Sequence, residues 1–311
     1  GPSVYNLTGW LIFAAIKSYG SFMVTLFWTY ATSATSLEDS LYVFPFVTTC
    51  AQVGSFGGAT LALIGADWGS PVLIWIAIAG MLCMIALLGF LKDDGPAKAQ
   101  AAPGRFWQGL ALVVKSPHLR GICVVSLAYL FIAAFFDYHM HYLAHQAYPL
   151  HADFVRFKGM YGQWTNAVSF LLSLGLTGAA LRSIGVRWGL LVYPSFTGFA
   201  VLLAWLVPSL GVVVALTVAL KAIAIGFNNP AKEILYIPEP SEVRREAKGW
   251  IDVAGYRTVF AMGYQVTSLI AEPYACFLNT SSCVSLFILA VWFYSALSLG
   301  RGFAIDGGDR V

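Results

Sequence analysis

Residues 229–238 read Asn229-Pro-Ala-Lys-Glu-Ile-Leu-Tyr-Ile-Pro238, and residues 247–254 continue as Ala247-Lys-Gly-Trp-Ile-Asp-Val-Ala254. The two blocks bound a charged island between long apolar runs. Lys232 and Glu233 stand at its start, and Glu239, Glu242, Arg244, Arg245, Glu246 and Lys248 fill its middle. Pro230, Pro238 and Pro240 each remove an amide donor and fix φ, so one uninterrupted helix does not run through the stretch. The charged middle is expected in water, with Lys232, Glu233 and Asp252 where helices meet it. The rest of the chain then reads as membrane helices joined by connections of this kind.

Composition supports that reading. Of the 311 residues 59% are hydrophobic and 11% charged, with a mean hydropathy of +0.73. A soluble domain carries about 25% charged residues, so an all-α polytopic membrane protein is expected. The net charge of +3 is small and dispersed, which argues against a nucleic-acid partner. Cys50, Cys83 and Cys123 fall in apolar runs, and Cys276 and Cys283 flank what reads as a short turn where they are able to pair. No cysteine–histidine spacing suggests a metal site.

A spanning helix needs about 20 apolar residues. Nine such stretches are marked, at about 9–33, 41–65, 71–91, 119–143, 160–181, 187–207, 211–229, 250–275 and 284–300. The Ala-, Gly- and Pro-rich connection after Lys92 divides the chain. Residues 1–91 hold three spans, 92–118 form an inner connecting loop, and 119–311 hold six. If that connection is cytoplasmic or stromal, thirteen Lys/Arg lie on its side and only Arg156 and Lys158 on the other. This asymmetry follows the positive-inside rule. Gly54, Gly57, Gly58 and Gly65, and Gly159, Gly162, Gly175 and Gly178, read as sites of close helix packing.

Ionisable groups inside spans are the functional markers, since each costs on the order of 3 kcal/mol or more at the membrane centre unless paired or wet. Lys17, Asp137, Lys221, Asp252, Arg257 and Glu272 qualify, Glu272 with a place near a span end. Asp137 and His141 are four apart and share a helix face. Such a pair can balance charge, relay a proton or ligate a metal, and no third ligand is apparent. Lys17, Lys221 and Arg257 come from three spans and are candidates to meet a polyphosphate. No Gly-Lys-Ser/Thr loop, Ser/His/Asp order or haem-attachment motif is present, so the chain does not read as an enzyme.

Pro230-Ala-Lys-Glu-Ile-Leu-Tyr-Ile-Pro238 followed by Ala247-Lys-Gly-Trp-Ile-Asp252 resembles the signature of the non-mitochondrial ATP/ADP translocases of plastids and intracellular bacteria. Looser echoes follow the same order: Leu26-Phe-Trp28 with Tyr42-Val-Phe-Pro45, Lys115-Ser-Pro-His-Leu119, and Ala128-Tyr129 with Asp137. The resemblance implies a major-facilitator-like arrangement of twelve spans, of which this chain begins near the fourth. It implies nucleotide exchange by alternating access, with Lys17, Lys221 and Arg257 on phosphate and Asp137 balancing or coupling charge. Lys232, Glu233 and Asp252 then form an inner gate. Phe260 stands where the family usually has a lysine, and Asn229 where an aspartate is common. The implied partners are ATP, ADP, lipid and other membrane subunits supplying missing helices, with no cofactor. The implied location is a plastid membrane, or alternatively the inner membrane of an intracellular bacterium. A different class stays open beside it: a degenerate carrier kept as a structural subunit of a larger membrane complex.

Overall fold

The computed structural model describes residues 23–64 apart from 25 and 33, together with 70–88 and 106–305. Lys17, most of the first marked span, and the part of the connecting loop that carries Lys92, Lys98 and Arg105 lie outside the described residues. Among the described residues every regular element is helical. In chain order these are α1 (Leu37–Ile64), α2 (Ser70–Leu88), α3 (Phe106–Lys115), α4 (Pro117–Ala147), α5 (His151–Leu171), α6 (Gly178–Leu206), α7 (Leu210–Ile223), α8 (Asn229–Ile234), α9 (Ser241–Gly249), α10 (Tyr256–Ile270) and α11 (Tyr274–Ile305). Three π-helical segments, Leu172–Thr177, Ala224–Asn228 and Trp250–Gly255, join α5 to α6, α7 to α8 and α9 to α10.

Local chemistry sets the ends. Ser36 caps α1, its hydroxyl accepting from the Asp39 amide at 3.1 Å and donating to the Asp39 carboxylate at 2.7 Å. That is a reciprocal cap with acid in the first turn, where the helix dipole favours it. Ser116 caps α4 and Pro117 takes the first position, where its missing amide costs nothing. Gly185, with φ 74° and ψ 163°, breaks α6 near its start. Helix therefore runs from 151 to 184, and a new one begins at 186. The Cδ2 of Leu181 lies 2.8 Å from where a Gly189 Cβ would stand, so the chain folds back there.

The segments Pro117–Ala147, Gly178–Leu206, Leu210–Ile234 and Tyr274–Arg301 are long and apolar enough to cross a membrane, the second carrying the Gly185 break. At about 1.5 Å per residue, α4 exceeds the roughly 30 Å hydrocarbon core. It is the central element, packed against α11, α10 and α7. Its buried Leu119, Ile122, Val125, Leu130 and Met140 form the middle of the apolar core. Trp292 of α11 is fully buried, edge-on to Tyr193 of α6 at 5.1 Å.

The structure redraws three sequence expectations. Residues 106–115 of the expected loop form helix α3, which packs on α9. Cys276 and Cys283 lie not around a turn but seven residues apart on continuous α11, and both are free thiols. The rise of a helix over seven residues, about 10 Å, exceeds disulfide reach. The tight glycines differ in part from those expected. Gly65 lies outside the described residues, and Gly178 does lie against another helix, where a Cβ would stand 3.6 Å from the Leu41 carbonyl oxygen of α1. Gly54, Gly57, Gly58, Gly159 and Gly162 face open space, whereas Gly109, Gly121, Gly226, Gly263 and Gly300 sit at close helix contacts.

Gly263 is a tight contact of α10 on α4. A Cβ there would stand 2.9 Å from the Cβ of Ala134 and 3.4 Å from the Cα of Phe131, both on α4. Neither atom swings away, so α10 must retreat, at about 1–3 kcal/mol. Gly263→Ala is expected to lower the unfolding temperature of the detergent-purified chain by several degrees. Gly162→Ala, which meets nothing within 4 Å, is expected to leave it unchanged or raise it. Equal effects of the two would refute the close-contact account.

Candidate functional site

Among the described residues two charged clusters lie within the bundle. The first joins α4, α5, α7 and α10. Asp137 is buried, and its Oδ1 accepts from the Nζ of Lys221 at 2.9 Å. Its Oδ2 accepts from the Tyr264 hydroxyl at 3.0 Å. Lys221 also stands over the Tyr161 ring, 5.2 Å from its centroid. Asp137 and Lys221 are 84 residues apart in sequence, and each supplies the counter-charge that makes the other tolerable in an apolar bundle.

His141 does not meet the Asp137 carboxylate, as helix spacing alone suggested. Its Nδ1 donates to the Asp137 backbone carbonyl, and its Nε2 accepts from the Lys158 ammonium at 2.6 Å. A carbonyl only accepts and an ammonium only donates, so these partners specify a neutral imidazole protonated on Nδ1. Lys158 lies 5.8 Å from the centroid of the same Tyr161 ring. Among the described residues no group of three or more His, Cys, Asp or Glu is placed to hold a metal ion.

Beside this cluster lies a cavity of about 240 Å³, lined by Asp137 and Lys221 and by the rings of Tyr129, Tyr193, Tyr256 and Phe260. Tyr256, Phe260 and Tyr264 recur every fourth residue of α10, so one stripe of rings runs along the helix. Arg257 lies beside that stripe, exposed, and is not among the cavity-lining residues.

The second cluster is the charged island. Lys232 of α8 pairs with Asp252 at 3.1 Å, and the adjacent Glu233 pairs with Lys248 of α9. The expectation that the middle of the island lies in water holds for exposed Glu242 but is corrected for two residues: Lys248 is fully buried and Arg244 nearly so. Each burial has its compensation. Lys248 holds the Glu233 carboxylate and stands 5.1 Å from the Tyr236 ring and 6.0 Å from that of Trp28. Arg244 donates to the carbonyls of Thr32, Ile237 and Glu239, the last two at 3.0 and 2.9 Å. Burial lowers its pKa from the ordinary guanidinium value, and the Glu239 carboxylate opposes that shift.

The quoted sequence blocks converge here. Trp28 lies over Lys248, and the imidazole of His118 hydrogen-bonds the Leu235 carbonyl at 3.2 Å. Tyr129 lines the cavity between the clusters. Ala224 and Ile225, also in its wall, precede Lys232 by about two turns, and Tyr256 follows Asp252 by one. Of the residues marked from sequence, Asp137 meets Lys221 and Lys232 meets Asp252, while Glu233 finds Lys248, which sequence had assigned to water. Lys158 and Tyr264 were missed. The usable signal for Lys158 was its isolation, since it and Arg156 are the only cations between α4 and Arg182.

Residues 97–303 match the family model described as TLC ATP/ADP transporter. The chain is also similar to ADP,ATP carrier protein 1 of Chlamydia pneumoniae, 28% identical over 179 residues, which is 50% of this chain and 35% of that protein. It thus spans about a third of the length of that relative. With a match over most of its length, its two ion-pair clusters built on the residues of that resemblance, the chain is a member of the TLC ATP/ADP transporter family.

Proposed function

We propose that the chain exchanges nucleotides of the ATP/ADP type across a membrane by alternating access. The observation that carries this reading is the placing of an aromatic-lined cavity between two sets of ion pairs, the inner one buried. An ion pair is a gate that a polyanion can open, because a phosphate oxygen can take over the charge-assisted hydrogen bonds of a carboxylate. Substrate phosphate would displace Asp137 from Lys221, with Lys17 and Arg257 as further phosphate cations. The rings of Tyr129, Tyr193, Tyr256 and Phe260 offer faces for a base, worth about 1–3 kcal/mol per stacked base. Phe260, in place of a family lysine, adds to that aromatic wall. Lys232, Glu233 and Asp252, with Lys248, would form the gate on the inner side, oriented by the positive-inside rule. The reading includes nine spans in a three-plus-six, major-facilitator-like arrangement, in a plastid membrane or an intracellular bacterium's inner membrane.

A second reading, a structural subunit of a larger membrane complex, is favoured by α2. Its Val72, Trp75, Ile76, Ile78, Met81, Leu82 and Met84 are exposed and cover the full circumference of the helix. Partner subunits supplying further helices would cover such a surface.

Ligand linkage separates the two. A ligand at 100 times its Kd adds about 2.7 kcal/mol to folding stability. Millimolar ATP or ADP is expected to raise the unfolding temperature of the purified chain by several degrees, and proteoliposomes loaded with ADP are expected to take up labelled ATP saturably. No shift and no uptake would overturn the carrier reading and leave the structural one.

A further inference from the structure

Among the described residues, the cluster around Tyr161 holds one cation more than its carboxylate balances. Lys221 has Asp137. Lys158 has a neutral imidazole nitrogen, yet lies close enough to Asp137 and Lys221 to feel both charges. Both ammonium groups stand over one ring, at 5.8 and 5.2 Å from its centroid. A lysine free to reach water has no need of this arrangement. Here the stem is half-buried on α5, and one of the three ammonium protons is committed to His141. His141 is itself held by its bond to the Asp137 carbonyl, one turn back on α4. The head of Lys158 is thus held beside the helix face that carries Asp137, on the same Tyr161 ring as Lys221.

We propose that Lys158 and Lys221, set around Tyr161 with His141 as the positioning residue for Lys158, form a two-cation site for a phosphate-type anion at the end of the cavity away from the island. The surplus positive charge calls for an anionic ligand, and two ammonium groups with protons to spare suit the adjacent oxygens of a di- or triphosphate. The Tyr161 ring faces both cations and partly offsets their repulsion until the anion arrives. Lys158 then receives the phosphate chain first and passes it to Lys221 as Asp137 moves aside. This inference deepens the carrier reading and rests on it only for the identity of the anion.

Inorganic pyrophosphate is the probe, since it carries the phosphates without the base. Its binding to the purified chain is measured by titration calorimetry, with ATP as competitor and adenosine measured separately. Wild type is expected to bind pyrophosphate, and Lys158→Gln to weaken that binding at least tenfold. Lys158→Arg should stay within about threefold, and adenosine binding should not change in either. Lys158→Met, whose apolar stem keeps the contact with Tyr161, serves as the second neutral variant if the glutamine protein does not fold. Failure of wild type to bind pyrophosphate, or equal binding by the neutral variants, would overturn the site. If ATP binds wild type and Lys158→Gln alike, the anion site falls and the carrier reading stands. If pyrophosphate binding depends on Lys158 but ATP does not compete, the site stands and the nucleotide reading falls.

Discussion

Replacing Glu233 with leucine is expected to destabilise the chain by about 3–5 kcal/mol, because it leaves the fully buried Lys248 ammonium without a counter-ion. For a chain of 311 residues that corresponds to roughly 5–8 °C in unfolding temperature. Lys248→Met is expected to do the same from the other side, stranding the Glu233 carboxylate. The double variant, Glu233→Leu with Lys248→Met, removes both charges together and fills the space with apolar groups of similar size. Buried pairs replaced in this way are often neutral or even stabilising, so the double variant should unfold near wild type. Lys232–Asp252 is less enclosed, with side chains 13% and 14% exposed, and its single variants should cost less. Thermal unfolding of the four proteins in detergent gives the coupling directly. If the double variant is as unstable as the singles, the charges are not the source of the loss. The same cycle separates structure from gating. A pair that only holds helix ends together can be replaced by apolar contact without loss of exchange. A gate cannot, since substrate phosphate has nothing to displace, so a stable double variant with exchange abolished is the expected outcome.

How much of this was legible in the sequence depended on the range of the interaction. The helical class followed from composition, and the breaks at the island and near Gly185 followed from local proline, glycine and charge. Asp137 and Lys221 were marked because each is a lone charge in an apolar run, but their pairing across 84 residues is a property of packing. Lys248 was misjudged for a physical reason. The five other charges of the island's middle read with it as a water-facing face, and nothing local shows that Glu233 folds back over it. The π-helical turn at Trp250–Gly255 adds to the difficulty. Ideal helix spacing puts Lys248 and Asp252 on one face, as near partners. In the structure the two are shared out instead, Asp252 to Lys232 and Lys248 to Glu233. The supposed turn between Cys276 and Cys283 came from a polar run, Asn279-Thr-Ser-Ser282. Small hydroxyl side chains compete with the backbone in a free peptide, but in α11 the Ser281 hydroxyl bonds back to the Leu278 carbonyl at 3.3 Å and the helix continues.

Lys221→Gln is expected to weaken ATP and ADP binding about 100-fold. One charge-assisted hydrogen bond to phosphate is worth about 1.5–3 kcal/mol, and its loss also leaves Asp137 facing the incoming polyanion without its counter-charge. Tyr264→Phe, which removes a single neutral donor to Asp137, should change binding only severalfold. Asp137→Asn acts in the opposite sense. It keeps an acceptor for Tyr264 but frees Lys221, so binding should hold or tighten, while exchange slows for want of a counter-ion to receive Lys221 when substrate leaves. A pair whose role is only to hold α4 to α7 would instead lose binding with either single variant. The charge swap, Asp137→Lys with Lys221→Asp, decides between the two roles. It rebuilds an ion pair between the same helices, so a purely structural pair would recover both stability and binding. A substrate cation must come from α7, beside Tyr161 and Lys158, and the swap puts a carboxylate there. Stability is therefore expected to return toward wild type in thermal unfolding while nucleotide binding stays at the level of Lys221→Gln. Recovery of binding by the swap would remove Lys221 from the substrate site.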